Sequence, residues 1–357
     1  MNYEKKQQQL YPLLKPFSAM YSGIMQVRAA AYKHKVLRSQ KSKNFCVAVG
    51  NISWGGSGKT PLTLWLLNWA EQNSLLPAVL TRGYGGKTEE RPLLVKTSTN
   101  ANESGDEPLM LARKFPASYI IADPVRTRAL DWLTAHTKAN FVILDDAMQH
   151  LAVQRDLNFV LLKDTDLTEN WGKVIPAGPW RENASALQRA SAFMLRADEK
   201  QFEKIKTLAA QKLAPFKKPV FAFTLKPEGL APLGPEAEKK YGQVMLSTLN
   251  NQAYALCTAV GTPKSVRQSA ASLLGYEPEQ EFVYPDHYKF TAEDLKKIAK
   301  TELPVVVTAK DAVKLLPLLH NCKQEYFVLE SSVQFGPVMF CDSTFEEWFK
   351  AQYKELA

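Results

Sequence analysis

The sequence has few cysteines and no long apolar run, and each absence narrows the class of protein. The 357 residues include four cysteines, no two of them close together in the chain, which argues against a disulfide framework or a zinc site. No run reaches the roughly 18 apolar residues of a membrane-spanning helix, and we expect no cleavable signal peptide. With no internal repeat and no low-complexity tract, the chain is expected to be a cytosolic globular protein long enough for two domains.

Positive charge is concentrated at one end of the chain. Residues 1–43 hold nine lysines and arginines and one acidic residue, Glu4, so +8 of the formal charge of +9 lies there. The same segment is apolar and aromatic, a combination typical of the membrane interface, where lysines meet anionic lipid. A helix packed on the body with a solvated basic face would show the same pattern. Because the rest of the chain is nearly neutral, we expect no nucleic-acid partner.

Short apolar runs alternate with amphipathic stretches along most of the chain. Continuous apolar runs indicate parallel strands that are buried on both faces. We therefore predict an α/β fold, with a P-loop NTPase-like core whose mostly parallel sheet is flanked by helices, and a second, smaller α/β domain. The predicted core strands are Pro77–Thr81, Tyr119–Ala122, Phe141–Leu144, Asn158–Leu162, Ala192–Leu195 and Val220–Phe223, and those of the second domain lie near Ala253–Val260, Val305–Thr308 and Tyr326–Leu329.

A proline- and glycine-rich stretch, Lys226–Glu236, is interpreted as a linker or a long excursion. With this boundary and the basic N-terminal segment, we predict three segments. Residues 1–43 form an amphipathic basic membrane-docking segment, 44–224 a P-loop nucleotide-binding core, and 225–357 a smaller C-terminal α/β domain.

A glycine-rich loop follows the apolar run that begins at Phe45, and it ends in Gly-Lys-Thr. Glycines let backbone N–H groups point at an anion, and the dipole of the following helix favours negative charge. Lys59 would reach the outer phosphates of a nucleotide, and the Thr60 hydroxyl would ligate Mg²⁺. The strict pattern has glycine where this chain has Ser53. The predicted phosphate-binding residues are Gly55, Gly56, Ser57, Gly58, Lys59 and Thr60.

A second apolar run, from Phe141, ends in the paired carboxylates Asp145 and Asp146. In phosphate-loop proteins a carboxylate at this place supports Mg²⁺, directly or through water. Adjacent residues on a strand face opposite ways, so the pattern leaves open which aspartate meets the metal. The other would contact substrate or cap the next helix, and a capping role alone is the simpler alternative.

Three further loops carry polar side chains. Arg82 opens a flexible glycine-rich loop, and the rigid loop Pro176–Glu182 presents Arg181 beside Glu182, which together could hold a polar substrate. Asp106 lies at a turn before a helical stretch, and its local chemistry is that of a helix N-cap rather than a base.

Together these motifs resemble the tetraacyldisaccharide 4'-kinase family. The resemblance implies an ATP- and Mg²⁺-dependent kinase that phosphorylates the 4'-hydroxyl of the tetraacyldisaccharide 1-phosphate precursor of lipid A. It also implies a peripheral place at the cytoplasmic face of the inner membrane of a Gram-negative bacterium, with an N-terminal docking helix, and we expect a monomer. The matching segments are Gly50–Pro61, Arg82–Gly86, Gly105–Pro108, Asp145–His150, Pro176–Glu182 and Thr308–Lys314.

The resemblance also assigns roles to residues. It pairs Asp106 with His287 to activate the sugar hydroxyl. His150, next to the paired aspartates, is the competing imidazole, and Lys59 of the glycine-rich loop is also predicted to be catalytic. Since Asp106 and His287 would come from different domains, we expect domain closure to assemble the site. The residues expected to contact the substrate are Arg82, Gln149, His150, Arg181 and Glu182.

Two positions depart from the family, and one rival function stays open. Ala147 replaces a usual glycine, and Ala309 replaces a usual glutamate and so removes a charge. The alternative is a membrane-associated P-loop ATPase switch. Such ATPases typically carry lysine where this chain has Trp54. A GTPase is disfavoured because the chain has no Asn-Lys-x-Asp motif.

Overall fold

The computed structural model describes residues 10–357, so Glu4, Lys5 and Lys6 of the predicted docking segment lie outside the described residues. Strands and helices alternate along the chain, as expected for an α/β protein. The strands are β1 Gln40–Lys41, β2 Phe45–Asn51, β3 Pro77–Thr81, β4 Leu93–Val95, β5 Tyr119–Ala122, β6 Phe141–Asp145, β7 Val153–Gln154, β8 Leu157–Leu162, β9 Ala192–Arg196, β10 Val220–Leu233, β11 Ala255–Thr258, β12 Gln280–Val283, β13 Val305–Thr308 and β14 Tyr326–Met339. The α-helices are α1 Tyr11–Lys33, α2 Lys59–Gln72, α3 Ala101–Ser104, α4 Asp106–Lys114, α5 Arg126–His136, α6 Asp164–Leu167, α7 Glu199–Leu213, α8 Pro235–Tyr241, α9 Pro263–Leu274, α10 Ala292–Ala299, α11 Ala309–Leu315 and α12 Phe345–Leu356.

The chain forms two compact units. The first contains the residues up to Arg82, Ala117–Thr224 and Gln334–Ala357, and the second contains Gly83–Pro116 and Leu225–Val333. These units differ from the predicted segments in two places. Residues 83–116, predicted in the core, belong to the second unit, and residues 334–357, predicted in the second domain, belong to the first.

Packing explains both differences. In the first unit, Phe349 of α12 packs edge-to-face on Trp69 with ring centroids 4.8 Å apart, so the C-terminal helix completes an aromatic core. In the second unit, Glu107 of α4 is held by Lys310 of α11, with Nζ 3.3 Å from Oε1. Contacts between residues distant in sequence therefore decide which segments share a unit.

The first unit is built on a parallel sheet with strand order β10-β9-β8-β2-β6-β3-β5. All residues of β2 and β6 are buried, which agrees with their continuous apolar sequence. In this order β3, the next strand along the chain, lies on one side of β2, and β8 lies on the other side. Ligands of such sheets bind at the carboxyl ends of the strands where the order reverses. Val49 pairs with Asp145 in register, so the glycine-rich loop and the acidic pair lie at that edge.

The second unit has its own parallel sheet, in the order β12-β11-β13-β14. Buried apolar side chains from β11, β13 and β14 form its core with α10 and α11. The stretch Lys226–Glu236 was predicted as a linker or excursion. Most of it instead continues strand β10 to Leu233, and α8 follows from Pro235. The backbone of Leu230 exchanges two 2.8 Å hydrogen bonds with Leu246, and the Leu230 side chain is fully buried. The middle of this proline- and glycine-containing stretch is thus paired and buried rather than exposed like a linker.

Helix α1 has two different faces. On the inner face, the buried Ser18 hydroxyl donates to the carbonyl of Val174 at 2.8 Å and accepts from the N–H of Ala177 at 3.0 Å. No helix within residues 10–357 is long and apolar enough to cross a membrane. The outer face exposes an apolar stripe of six side chains, which we call the α1 stripe: Leu10 at the N-cap, and Leu13, Phe17, Met20, Ile24 and Val27 in the helix.

Candidate active site

The glycine-rich loop between β2 and α2 has the backbone geometry of an anion cradle. Gly58 has φ +92°, and a Cβ there would lie 2.9 Å from the ring of Phe223, so no other residue fits without rearrangement. Helix α2 begins at the next residue, Lys59, and its first N–H groups are free to bind an anion. The Ser57 hydroxyl is buried and has no hydrogen-bond partner among the described residues. A buried unpaired hydroxyl in this loop fits a bound phosphate oxygen.

Ser53, which stands where the strict loop pattern has glycine, makes a buried hydrogen bond. Its hydroxyl donates to Oδ2 of Asp166 at 2.9 Å, and both residues are fully buried. The same carboxylate accepts from the N–H of Lys163 at 2.9 Å and from Nε1 of Trp180 at 3.0 Å. Ser53 does not have a positive φ, so glycine is not required there. Asp166 thus joins the loop to Trp180 of the Pro176–Glu182 loop.

Lys59 points back along the loop. Its Nζ lies 3.2 Å from Oδ1 of Asn51 and 3.6 Å from Oδ1 of Asp146. The Asn51 amide also donates to the carbonyl of Ser53, so one side chain orients both the lysine and the loop backbone. Asn51 was not predicted as a site residue. The only signal for it in the sequence is a polar residue at the end of an apolar strand.

The two adjacent aspartates face different surroundings. Asp145 is 7% exposed, and its carboxylate accepts from the hydroxyls of Thr81 at 3.2 Å and Thr63 at 3.5 Å. Asp146 has φ +48° and turns toward the loop, where it accepts from Arg181 at 2.9 Å and faces Lys59. Burial alone would raise the pKa of Asp146, but the charges of Lys59 and Arg181 hold it below its ordinary value. Asp146 is therefore a carboxylate directed at the place where phosphates would lie.

The donor set suits Mg²⁺ shared with a nucleotide better than a metal held by protein alone. Within residues 10–357 there is no cluster of three or more His, Cys, Asp or Glu residues that could hold a metal ion. Mg²⁺ usually takes one or two carboxylates and completes its shell with phosphate oxygens and water. Asp146 offers the carboxylate, and Thr60 offers a partly buried hydroxyl in the first turn of α2.

The predicted substrate residues of the first unit are only partly grouped. Arg181 donates to Asp146 and, at 3.2 Å, to Oε1 of Gln149, so these side chains lie together beside the loop. Glu182 is instead almost fully buried and pairs with Arg189 at 2.6 Å. That contact gives Glu182 a structural partner, and its direct contact with substrate stays a prediction.

His150 is uncharged at neutral pH. Burial and the charge of Arg126 lower its pKa to about 4, although Asp146 acts in the opposite sense and Arg82 lowers it further. A neutral imidazole here can donate and accept hydrogen bonds but adds no positive charge. Arg82 itself is exposed and close enough to His150 to affect its titration.

Helix α1 is fastened to the same group of loops. Arg28 donates to the carbonyl of Gln149 at 3.0 Å. Ser18 holds the backbone of Val174 and Ala177, just before the segment that carries Arg181. The helix that exposes the apolar α1 stripe is thus in contact with the loops of the first unit's site.

The second unit contains the Asp106–His287 pair. Nδ1 of His287 lies 3.6 Å from Oδ2 of Asp106, and the ring centroids of His287 and Tyr84 are 5.1 Å apart. Both members of the pair belong to this one unit, so the expectation that they come from different domains is wrong. The interpretation of Asp106 as an N-cap is also wrong, because Gly105 occupies the cap and Asp106 is the first helical residue. A cavity of about 430 Å³ adjoins the pair, and its lining includes Asn102, Arg113, Lys289, Phe290 and Lys314.

The parallel sheet, the glycine-rich loop and the carboxylate at the end of β6 define a nucleotide-binding α/β protein of the P-loop class. A family model described as tetraacyldisaccharide-1-P 4'-kinase matches residues 10–352. The chain belongs to this family of kinases.

Relatives and a solved structure agree with this assignment. A tetraacyldisaccharide 4'-kinase of Nitratidesulfovibrio vulgaris is 39% identical over 357 residues, which covers 100% of this chain and 98% of that protein. One of Haemophilus influenzae is 32% identical over 302 residues, with 85% and 83% covered. A crystal structure of LpxK from Aquifex aeolicus in complex with ATP matches with a TM-score of 0.73 and 26% identity over 97% of this chain and 99% of that one. The predicted family and α/β fold are confirmed.

Proposed function

We propose that this kinase transfers the γ-phosphoryl group of ATP to the 4'-hydroxyl of the tetraacyldisaccharide 1-phosphate precursor in lipid A biosynthesis. The observation that carries the proposal is the convergence of Lys59, Asp146 and Arg181 beside the glycine-rich loop. Two cations and a carboxylate at a helix N-terminus suit phosphoryl transfer, in which the protein mainly positions the reactants and neutralises charge.

The loop holds the phosphates of ATP. Backbone N–H groups from Gly55 to Thr60 and the Ser57 hydroxyl donate to phosphate oxygens, and Lys59 bridges toward the γ-phosphate. In the structure Asn51 and Asp146 hold the Lys59 ammonium near the loop, which limits the entropy lost when ATP binds. Thr60 and Asp146 are the residues we assign to Mg²⁺, with Asp145 supporting them from the sheet. When bound, Mg²⁺ neutralises charge on the β- and γ-phosphates.

Asp106 and His287 act on the sugar hydroxyl. Asp106 accepts the proton of the 4'-hydroxyl as its oxygen bonds to the γ-phosphorus, and the bond to the β–γ bridging oxygen breaks, so that ADP leaves. Asp106 suits this task because its side chain is only 16% exposed and lies within reach of an imidazole. Arg181, Gln149 and His150 are the other residues that we assign to the sugar.

The protein works in peripheral contact with the cytoplasmic face of the inner membrane. The α1 stripe supports this, because its six exposed apolar side chains form one face of a helix, and such a face enters the headgroup boundary of a bilayer. Nearby lysines and arginines attract anionic lipid. With Ser18 and Arg28 fastening α1 to the substrate loops, the substrate's acyl chains can stay in the bilayer while its sugar reaches the protein.

One assay tests the reaction. The protein is incubated with γ-labelled ATP and the tetraacyldisaccharide 1-phosphate, and we expect label in the lipid-soluble fraction. Asp106→Asn should lower kcat by about 10²-fold or more with little change in KM for ATP, whereas Glu103→Gln, at an exposed carboxylate three residues earlier, should leave both unchanged. Label released only as free phosphate would refute the kinase function and favour the ATPase switch. Full turnover by Asp106→Asn would remove the base assignment.

A further inference from the structure

Lys310, in helix α11, reaches three side chains in the second unit. Its Nζ lies 3.1 Å from Oδ1 of Asp286, 3.3 Å from Oε1 of Glu107 and 3.5 Å from Nε2 of His287. The Lys310 side chain is only 15% exposed, so these contacts are largely shielded from solvent. The lysine belongs to the segment Thr308–Lys314, and no residue of this segment has a role in the proposed reaction.

The charge state of Lys310 restricts the hydrogen bonds it makes. Burial alone would lower its pKa, but the neighbouring carboxylates of Glu107 and Asp286 raise the pKa above its ordinary value. Lys310 is therefore an ammonium group at neutral pH. An ammonium group donates hydrogen bonds and accepts none.

The tautomer of His287 follows from this contact. Because Lys310 only donates, a neutral His287 meets it with an unprotonated Nε2, and its single proton resides on Nδ1. That Nδ1–H faces Oδ2 of Asp106 at 3.6 Å, a separation that catalytic hydrogen bonds often show before substrate binds. The other tautomer would place an N–H against the ammonium and a lone pair against the carboxylate.

The backbone keeps the ring in this place. His287 has φ +62°, an uncommon value for a residue with a side chain. Its N–H donates to Oδ1 of Asp286 at 3.0 Å, and the same oxygen accepts from Lys310. Asp286 thus joins the backbone of His287 to the lysine that contacts its ring.

We propose that Lys310 is a positioning residue that keeps the proton of the His287 imidazole on Nδ1, so that the ring donates to Asp106. The donated hydrogen bond orients one oxygen of Asp106 and leaves the other to take the hydroxyl proton. The proposal rests on the proposed function for the roles of Asp106 and His287. The groups that face the imidazole are Asp106 and Glu107 of α4, Asp286 of its own loop, Lys310 of α11 and the ring of Tyr84.

The tautomer is measured directly by ¹⁵N NMR of histidine-labelled full-length protein. The chain has five histidines, and loss of one signal set in His287→Gln assigns the resonances. We expect Nδ1–H in the wild type and a mixture of both tautomers in Lys310→Met. Lys240→Met is the matched control, because it removes a lysine paired with Glu325 at 2.7 Å in the same unit. An unchanged tautomer in Lys310→Met would overturn the proposal.

Kinetics provide the second readout. Lys310→Met should lower kcat at least about tenfold with little change in KM for ATP. Lys310→Arg should restore most of the activity, and Lys310→Met should cost nothing more in a His287→Ala background. Fully additive losses would contradict positioning through His287.

The two proposals fail in different ways. If the wild type puts no label into lipid, the proposed function fails, while the NMR experiment still tests the tautomer. If the wild type is active and Lys310→Met keeps the tautomer of the wild type, only the role of Lys310 is refuted.

Discussion

Replacing Ser53 by glycine would restore the strict phosphate-loop pattern, yet we expect it to destabilise the protein. The change removes the 2.9 Å hydrogen bond from the Ser53 hydroxyl to Asp166, and both residues are fully buried. A hydrogen bond to a charged group contributes about 1.5–3 kcal/mol, and its loss leaves a buried acceptor less satisfied. Glycine adds a backbone entropy cost of about 0.5–1 kcal/mol. The free energy of unfolding should fall by about 2–4 kcal/mol.

Guanidinium unfolding followed by tryptophan fluorescence measures this loss, since Trp180 donates to the same carboxylate. Ser53→Ala is the matched variant, because it removes the hydroxyl without the added backbone freedom, and it should lose about 1.5–3 kcal/mol. ATP affinity should fall in both variants as the start of the loop loosens. If Ser53→Gly is as stable as the wild type, or binds ATP more tightly, the role given to Asp166 is refuted.

Two further predictions concern pH and the membrane. The pKa of His150 falls from 6.5 to about 4 on folding, so the unfolded chain binds this proton more tightly, and stability should drop by about 1–2 kcal/mol from pH 7 to pH 5. His150→Gln should lose less over the same range in guanidinium titrations, and an equal loss would contradict the assignment. Replacing Phe17 and Met20 of the α1 stripe by serine should lower binding to anionic vesicles at least about tenfold in sedimentation assays. Gln26→Ser, at an exposed polar position of α1, should have no effect, and normal binding by the double variant would refute docking through the stripe.

Much of the fold was predictable because its signals are local. The core strands Pro77–Thr81 and Tyr119–Ala122 have the bounds expected from their apolar runs. The glycine-rich loop was recognisable because it is a contiguous stretch between a strand and a helix. The composition of Lys226–Glu236 was misleading, because most of these residues continue strand β10 although their local preference is for a loop, and Leu230 within them pairs with Leu246. Backbone pairing outweighed local propensity there.

The site was predictable in its residue types but not in its partners. The pattern placed two carboxylates at the end of an apolar strand, and it left their roles open. The left-handed backbone at Asp146 and the contact with Arg181 turn only that carboxylate toward the loop. Asp106 and His287 were paired by resemblance, but their membership of one unit follows from packing that no local pattern contains.

The sequence by itself determined the strand and helix segments, the phosphate loop, the chemistry at the sheet edge and the family. Those properties depend on residue type and short spacing, which act within a few residues of the chain. Only the tertiary structure decided that Ser53 is held by Asp166, 113 positions away, and that Lys310 meets His287, 23 positions away. Such contacts require distant segments to be brought within a few ångströms of each other by packing, and their geometry then sets the charge, the orientation and the proton position of each group.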